Sequence, residues 1–397
     1  MKCSAKLSVL CGLLSVMLSS GCSSSDPAGV VDTTAPVITR LGSNPVDVTQ
    51  NAAYVDAGAT ASDNVDGNIT ASIVTVNPVN TAVVGSYTVS YNVSDAAGNA
   101  SAQVTRAVNV VAPVAAGVTW TPRVSGTASV LNEVAWSGTQ FVVVGAPDSI
   151  LTSPDGITWT RRASGTTNQL EDVDWGGSKF VAVGGSFGTV GRILTSPDGI
   201  TWTPQVSGVT NRLDGVAWGG TQFVAVGGPS VGGNPALILT SPDGVTWTPR
   251  VPNTVNQLLA VTWSGTQFVA VGQIGTVVTS PDGITWTVRS SGASGSLNDV
   301  AWNGTRFVTL GDGTILTSPD GVTWTPRVAG TTERLYSVTW SGSQFVVAGN
   351  VGTLLTSPDG ITWTARTSGV GDALLGIAWS GTRFVAVGAA GKIVTSP

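Results

Sequence analysis

Ser153-Pro154-Asp155-Gly156-Ile157-Thr158-Trp159 returns in near copies that begin at Ser196, Ser241, Ser280, Ser318 and Ser357. The tryptophans that close the motif are Trp120, Trp159, Trp202, Trp247, Trp286, Trp324 and Trp363, at intervals of 39, 43, 45, 39, 38 and 39 residues. A second tryptophan falls between them, in Val-Ala-Trp or a close variant, at Trp136, Trp175, Trp218, Trp263, Trp302, Trp340 and Trp379. Two per unit over seven units account for all 14 tryptophans of the 397-residue chain.

Each unit reads as four short strands separated by turn residues. In the first complete copy these are expected at Leu131 to Trp136 (strand A), Phe141 to Gly145 (B), Ile150 to Ser153 (C) and Gly156 to Arg162 (D). A period near forty residues with four strands is one propeller blade, so the array predicts an all-β, seven-bladed β-propeller over residues 117–397. Seven of the eight phenylalanines open strand B, at Phe141, Phe180, Phe223, Phe268, Phe307, Phe345 and Phe384, where they are expected to pack between sheets. The array starts with a lone strand D at 117–123 and stops at Ser396-Pro397, where the next D is due. Pairing of 117–123 with the C-terminal strands is therefore predicted to close the ring and remove its free edge.

The repeated box is a turn device: serine and aspartate side chains take backbone hydrogen bonds, proline presets one dihedral and glycine takes the positive one. A residue stamped onto six blades serves the scaffold, so Asp155, Asp198, Asp243, Asp282, Asp320 and Asp359 are assigned to turns; the split seventh box has Ala116 in that place. SPDG[I/V]TW resembles the Asp-box of sialidases, with one residue fewer between Asp and Trp, and the repeats of photosystem assembly factor propellers. Arginine recurs three residues after the box tryptophan, at Arg123, Arg162, Arg250, Arg289, Arg327 and Arg366, with Gln205 as the exception. Its stem is expected to cover apolar strand surface.

Ahead of the array, tryptophan is missing from Ala35 to about Val111, while Tyr54, Tyr87 and Tyr91 fall there. Runs such as Ser86 to Val93 and Gln103 to Val110 alternate with the period of half-buried strands. The stretches Ala35-Pro36-Val37-Ile38, Asp56-Ala57-Gly58-Ala59, Asp63-Asn64-Val65-Asp66-Gly67, Gly85-Ser86-Tyr87 and Asp95 to Asn99 resemble the bacterial Ig-like module also found in a pesticidal crystal protein. The resemblance implies a small β-sandwich at 35–111 used as a spacer or adhesive unit, joined by a linker at 112–116. Asp56, Asp63, Asp66 and Asp95 form a candidate calcium set by ligand type, with turn formation the simpler role.

Residues 1–21 carry Lys2, Lys6 and an apolar run, then Ser19-Ser20-Gly21-Cys22. This is the grammar of an export signal, too short to span a bilayer. The ending resembles the lipobox of bacterial lipoproteins, which implies lipidation of Cys22 and a membrane anchor; residues 22–34 suit a flexible tether. The expected location is the cell envelope, at the outer membrane or cell surface. All three cysteines lie within the first 22 residues and histidine is absent, which removes thiolate cages, imidazole bases and Ser/His or Cys/His nucleophiles from the body of the protein. No cofactor is expected. The formal charge is −5, an unfavourable surface for nucleic acid.

Strand alternation puts the A–B and C–D turns on one face and the D–A and B–C loops on the other. The first face is nearly invariant between copies, whereas the second diverges around strand A: Asn168, Glu171 and Asp172; Arg212 and Asp214; Gln257; Asn298 and Asp299; Glu333, Arg334 and Tyr336. The B–C loops lengthen in two adjacent units, Gly184 to Arg192 and Gly227 to Ala236. Loops on a rigid scaffold carry binding, so these residues are the candidate ligand face.

These features together predict a monomeric, non-enzymatic envelope lipoprotein whose propeller face takes a glycan or protein ligand. The Asp-box resemblance raises glycoside hydrolysis as an alternative, with Glu333 and Tyr336 the pair to test first; the photosystem factor resemblance raises assembly of a membrane complex.

Overall fold

The computed structural model describes residues 31–113, 115–186, 190–228 and 236–397. The leader and Cys22 lie outside the described residues. The chain divides into two compact units after Pro113.

The first unit packs two sheets over one core. Val37–Arg40, Ala59–Asp63 and Gly67–Asn68 make a three-stranded sheet; the second runs in the order Val46–Thr49, Val104–Val111, Gly85–Asn92, Val74–Val76. Val46–Thr49 pairs parallel to Val104–Val111, and the other pairings are antiparallel. Ile38, Val48, Ala61, Val89, Tyr91 and Val108 fill the space between the sheets.

The second unit is a ring of seven four-stranded antiparallel sheets. Blade 1 comprises Val130–Trp136 (A), Phe141–Ala146 (B), Ser149–Ser153 (C) and Thr160–Arg162 (D), and the same order repeats through blade 6. Blade 7 takes Leu374–Trp379, Phe384–Gly388 and Ile393–Ser396 from the end of the chain and Thr121–Arg123 from the start of the array. The closing register is Ile393 opposite Arg123, Val394 opposite Pro122 and Thr395 opposite Thr121. Strand D is shorter than its alternation predicts, because the box is a turn: Asp155 Oδ1 accepts from the N–H groups of Ile157 (2.8 Å) and Thr158 (3.0 Å), which keeps them out of the ladder. Ser153 Oγ accepts from Gly156 N at 2.8 Å, and Trp159 Nε1 donates to Gly156 O. The recurring arginine does more than cover surface. Arg162 Nε donates to Thr152 Oγ1 on strand C at 2.9 Å, and Gln205 makes the same bond to Thr195.

Blade contacts are apolar within and polar at the box face. Phe141 packs tilted against Trp136 at 4.4 Å between centroids and joins Val385 and Val387 of blade 7 in one cluster. At the turns, the residue before the strand B phenylalanine donates to the box carbonyl of the next blade: Gln140 to Asp198, Lys179 to Asp243, Gln222 to Asp282 and Gln267 to Asp320. Gln344 makes the equivalent bond to Ala116 O at 2.6 Å, tying blade 6 to the split box. The face that repeats in sequence thus spends its polar groups on holding the ring together.

Candidate binding site at the channel mouth

Strand A is the inner edge of every blade, and the seven A strands touch one another in a closed circle around a central channel. Each carries a β-bulge at the same place. In blade 4, Leu258 opposes Gly272 and Ala260 opposes Val271, so Leu259 has no partner across the ladder. The unpaired residues of blades 1 to 7 are Asn132, Glu171, Asp214, Leu259, Asn298, Tyr336 and Leu375. The glycine that ends strand B explains the bulge: a Cβ on Gly272 would lie 2.0 Å from Gln257 O, so only glycine lets strand A bend in this close.

All seven bulge residues line one cavity of about 350 Å³ at the mouth of the channel. It continues into a second space of about 280 Å³ lined by Glu133, Asp172, Asp174 and Asp299 further along strand A. Of the residues singled out in the sequence, Glu171, Asp172, Arg212, Asp214, Asn298, Asp299, Arg334 and Tyr336 line the mouth. Three do not. The Asn168 carboxamide oxygen accepts from Arg192, Gln257 is buried with its Nε2 on Asp214 Oδ2 at 2.7 Å, and Glu333 accepts from Asn350 Nδ2 at 3.0 Å. Glu333 and Tyr336 are therefore not a pair facing one space.

Several mouth carboxyls also hold the ring. An inner edge strand leaves N–H groups without a ladder partner, and these need an acceptor. Asp172 takes Val173 N with one oxygen and Val216 N of the next blade with the other, each at 2.7 Å. Asp299 takes Val300 N and Val338 N in the same manner, and Asp174 takes Trp175 N and Trp218 N. Asn132 and Asn298 donate to Leu170 O and Leu335 O of the following blades. Arg212 bridges Glu171 (2.7 Å) and Asp214, while Arg334 pairs with Asp312 at 3.1 Å and lies over the Tyr336 ring.

The sequence reading missed Asn132, Glu133, Asp174, Leu259 and Leu375. Aligning the seven Leu-x-x-Val-x-Trp segments by position, apolar residues included, carries the signal that finds them.

Crowding of carboxyls inside the ring alters their chemistry. Burial pushes Asp172 up to about 8, Asp214 up to about 7, and Asp174 and Asp299 up to about 6. Burial, with Asp172 and Asp299 nearby, also raises Glu133 well above the carboxylate range. At the exposed box turns the sign reverses, since backbone N–H groups, Thr158 foremost, hold Asp155 low. A carboxyl raised in the fold keeps a proton that the unfolded chain releases, so stability falls as pH climbs from the unfolded value of 3.8 toward the folded one. We expect the propeller's Tm to be several degrees higher near about pH 5 than near about pH 8, and to fall again below about pH 4 as the box aspartates protonate. Asp172→Asn should flatten the upper limb; calorimetry showing equal Tm values across the upper range in the unaltered protein would contradict the assignment.

In the first unit, Asp32, Asp63 and Asp95 bring carboxylate oxygens within 4.8 Å of one another. Asp56 is not with them: it pairs with Arg106 and accepts from the Tyr54 and Tyr91 hydroxyls. Asp63 Oδ1 accepts from Val65 N and Asp66 N within its own turn, whereas Asp66 Oδ2 accepts from Ala96 N in a different loop.

Residues 38–110 match the family described as bacterial surface protein, Ig-like domain. Among curated proteins, none matches the chain. Among solved structures, the chain is similar to YCF48 from Cyanidioschyzon merolae, at 18% identity and a TM-score of 0.54, over 71% of this chain and 98% of that one. YCF48 bound to D1 peptide gives 17% identity and a TM-score of 0.57, over 71% and 99%. The WD40 β-propeller domain of Doa1 gives 10% identity and a TM-score of 0.56, over 70% and 97%. At these identities the likeness is one of fold: a β-propeller preceded by a bacterial surface Ig-like domain. No helix among the described residues is long and apolar enough to cross a membrane.

Proposed function

We propose that the protein is a non-enzymatic component of the bacterial cell envelope, anchored through a lipidated Cys22, that captures a protein ligand at the mouth of the propeller channel. One observation carries the binding reading: a cavity that receives a side chain from every blade opens where the copies diverge, while the opposite face is consumed by blade-to-blade bonds. A structural neighbour of the same build holds a peptide, which favours a polypeptide over a glycan. The Ig-like unit serves as the spacer between membrane and propeller, and the leader and its lipobox resemblance supply the anchor.

Two measurements test this reading. Cys22→Ala should move the full-length protein from the detergent phase to the aqueous phase on temperature-induced partition; unchanged partition would remove the anchor. A photo-crosslinking residue placed at Leu259 should yield a discrete protein adduct in living cells, whereas one at Ile284, exposed on the box face, should not. Equal labelling from both positions would remove the mouth as the binding face.

A further inference from the structure

Bulges re-aim side chains, and here the same bulge occurs seven times around one axis. The flanking leucine and tryptophan repeat in every blade, yet the re-aimed residue is Asn, Glu, Asp, Leu, Asn, Tyr and Leu in turn. A position serving only the scaffold would repeat with its neighbours. The ring is also polarised. Glu171 and Asp214 stand on adjacent blades 2 and 3, whereas Tyr336 and Leu375 stand on adjacent blades 6 and 7 across the mouth.

The mouth is lined by five carboxyls, Glu133, Glu171, Asp172, Asp214 and Asp299, against the guanidinium groups of Arg212 and Arg334. Arg334 is matched by Asp312, and Arg212 is shared between Glu171 and Asp214. Tyr336, Leu259 and Leu375 are half-buried, so each presents apolar surface to the cavity.

Resting on the protein-ligand reading above, we infer that the seven bulge residues form the specificity ring of the site, and that the ring takes a polypeptide segment presenting a lysine or arginine beside an apolar side chain. The basic group faces the blade 2 and 3 side, and its apolar neighbour lies on Tyr336 and Leu375. A cationic head draws the Glu171 and Asp214 carboxyls, which burial raises, into their charged form in a space shielded from bulk water, and the apolar arc supplies the desolvated contact that dominates such interfaces.

The test selects binders to the full-length protein from a phage-displayed library of random peptides, then measures one selected peptide against variants. Enrichment of Lys or Arg next to an aliphatic or aromatic residue is expected. Tyr336→Glu and Leu375→Glu should each weaken that peptide about tenfold or more, and Glu171→Lys should do the same by repelling its basic group. Ile284→Glu on the box face should leave affinity unchanged. Thermal scans identify any variant that unfolds, and Tyr336→Ala then replaces the glutamate. Peptides that bind all variants equally, or that lack a basic residue, overturn the specificity ring while leaving protein binding intact. A library that yields no binder overturns both.

Discussion

A chain lacking residues 117–123 should lose the cooperative unfolding transition of its propeller. Those residues supply the outer strand of blade 7 and the glycine and tryptophan of its box. Gly117 N donates to Ser396 Oγ at 2.8 Å and Arg123 Nε to Thr395 Oγ1 at 2.8 Å. Trp120 is buried, its ring centroid 6.0 Å from that of Phe384, in a core shared with Val346 and Leu354 of blade 6. Removing the strand exposes the edge at Ile393–Ser396 and empties that core at once. A ring has no tolerance for one incomplete member, because every blade buries its faces against two neighbours. The expected calorimetric trace keeps the transition of the Ig-like unit and replaces the propeller peak with a broad, low one. A gentler version, Trp120→Ala, should cost about 3–5 kcal/mol by emptying the same space. A sharp propeller peak surviving the deletion would mean that the ring is held by something other than this closure.

The blade count and the closure were legible in the sequence because they rest on spacing. Tryptophan at a forty-residue period, and a fourth strand left over at one end, have few other solutions. What spacing does not report is where a strand bends. The bulge depends on a glycine at the end of strand B whose Cα lets the opposing carbonyl approach, a contact between residues about fifteen apart, such as Gln257 and Gly272. The sequence reading therefore found the polar members of the mouth and passed over Leu259 and Leu375, which look like core residues until the bulge turns them inward. It also counted Gln257 and Asn168 as ligand groups. Their partners, Asp214 in the preceding blade and Arg192 at the start of strand C, lie far along the chain, and that pairing exists only in three dimensions. Grouping Asp56 with the other aspartates of the first unit failed for the same reason, since its partner Arg106 is fifty residues further along the chain.

That pair carries the second large effect. Arg106 is 2% exposed, donates to Gly58 O at 3.2 Å and to Leu41 O, and lies 3.3 Å from Asp56 Oδ1. Burial alone would push the Asp56 carboxyl up; the Tyr91 and Tyr54 hydroxyls and then Arg106 outweigh it and hold the group below the usual carboxylate range. Burial, with Asp56 accepting its proton, pushes Tyr91 up to about 12, so the phenol stays a donor at any ordinary pH. Arg106→Met keeps the bulk of the side chain and removes the cation, leaving an enclosed carboxylate with only neutral donors and two backbone carbonyls without theirs. Such a deletion of one partner costs about 3–5 kcal/mol, enough to unfold a domain of this size at moderate temperature. Because Asp56 is then the liability, pairing the change with Asp56→Leu should recover part of the loss, as buried ion pairs replaced by apolar residues often do. The loss should also shrink as pH falls and Asp56 takes up a proton. Urea denaturation of the Ig-like unit in the single and double variants measures both; a single variant within about 1 kcal/mol of the parent would show that Tyr54 and Tyr91 alone satisfy the carboxylate.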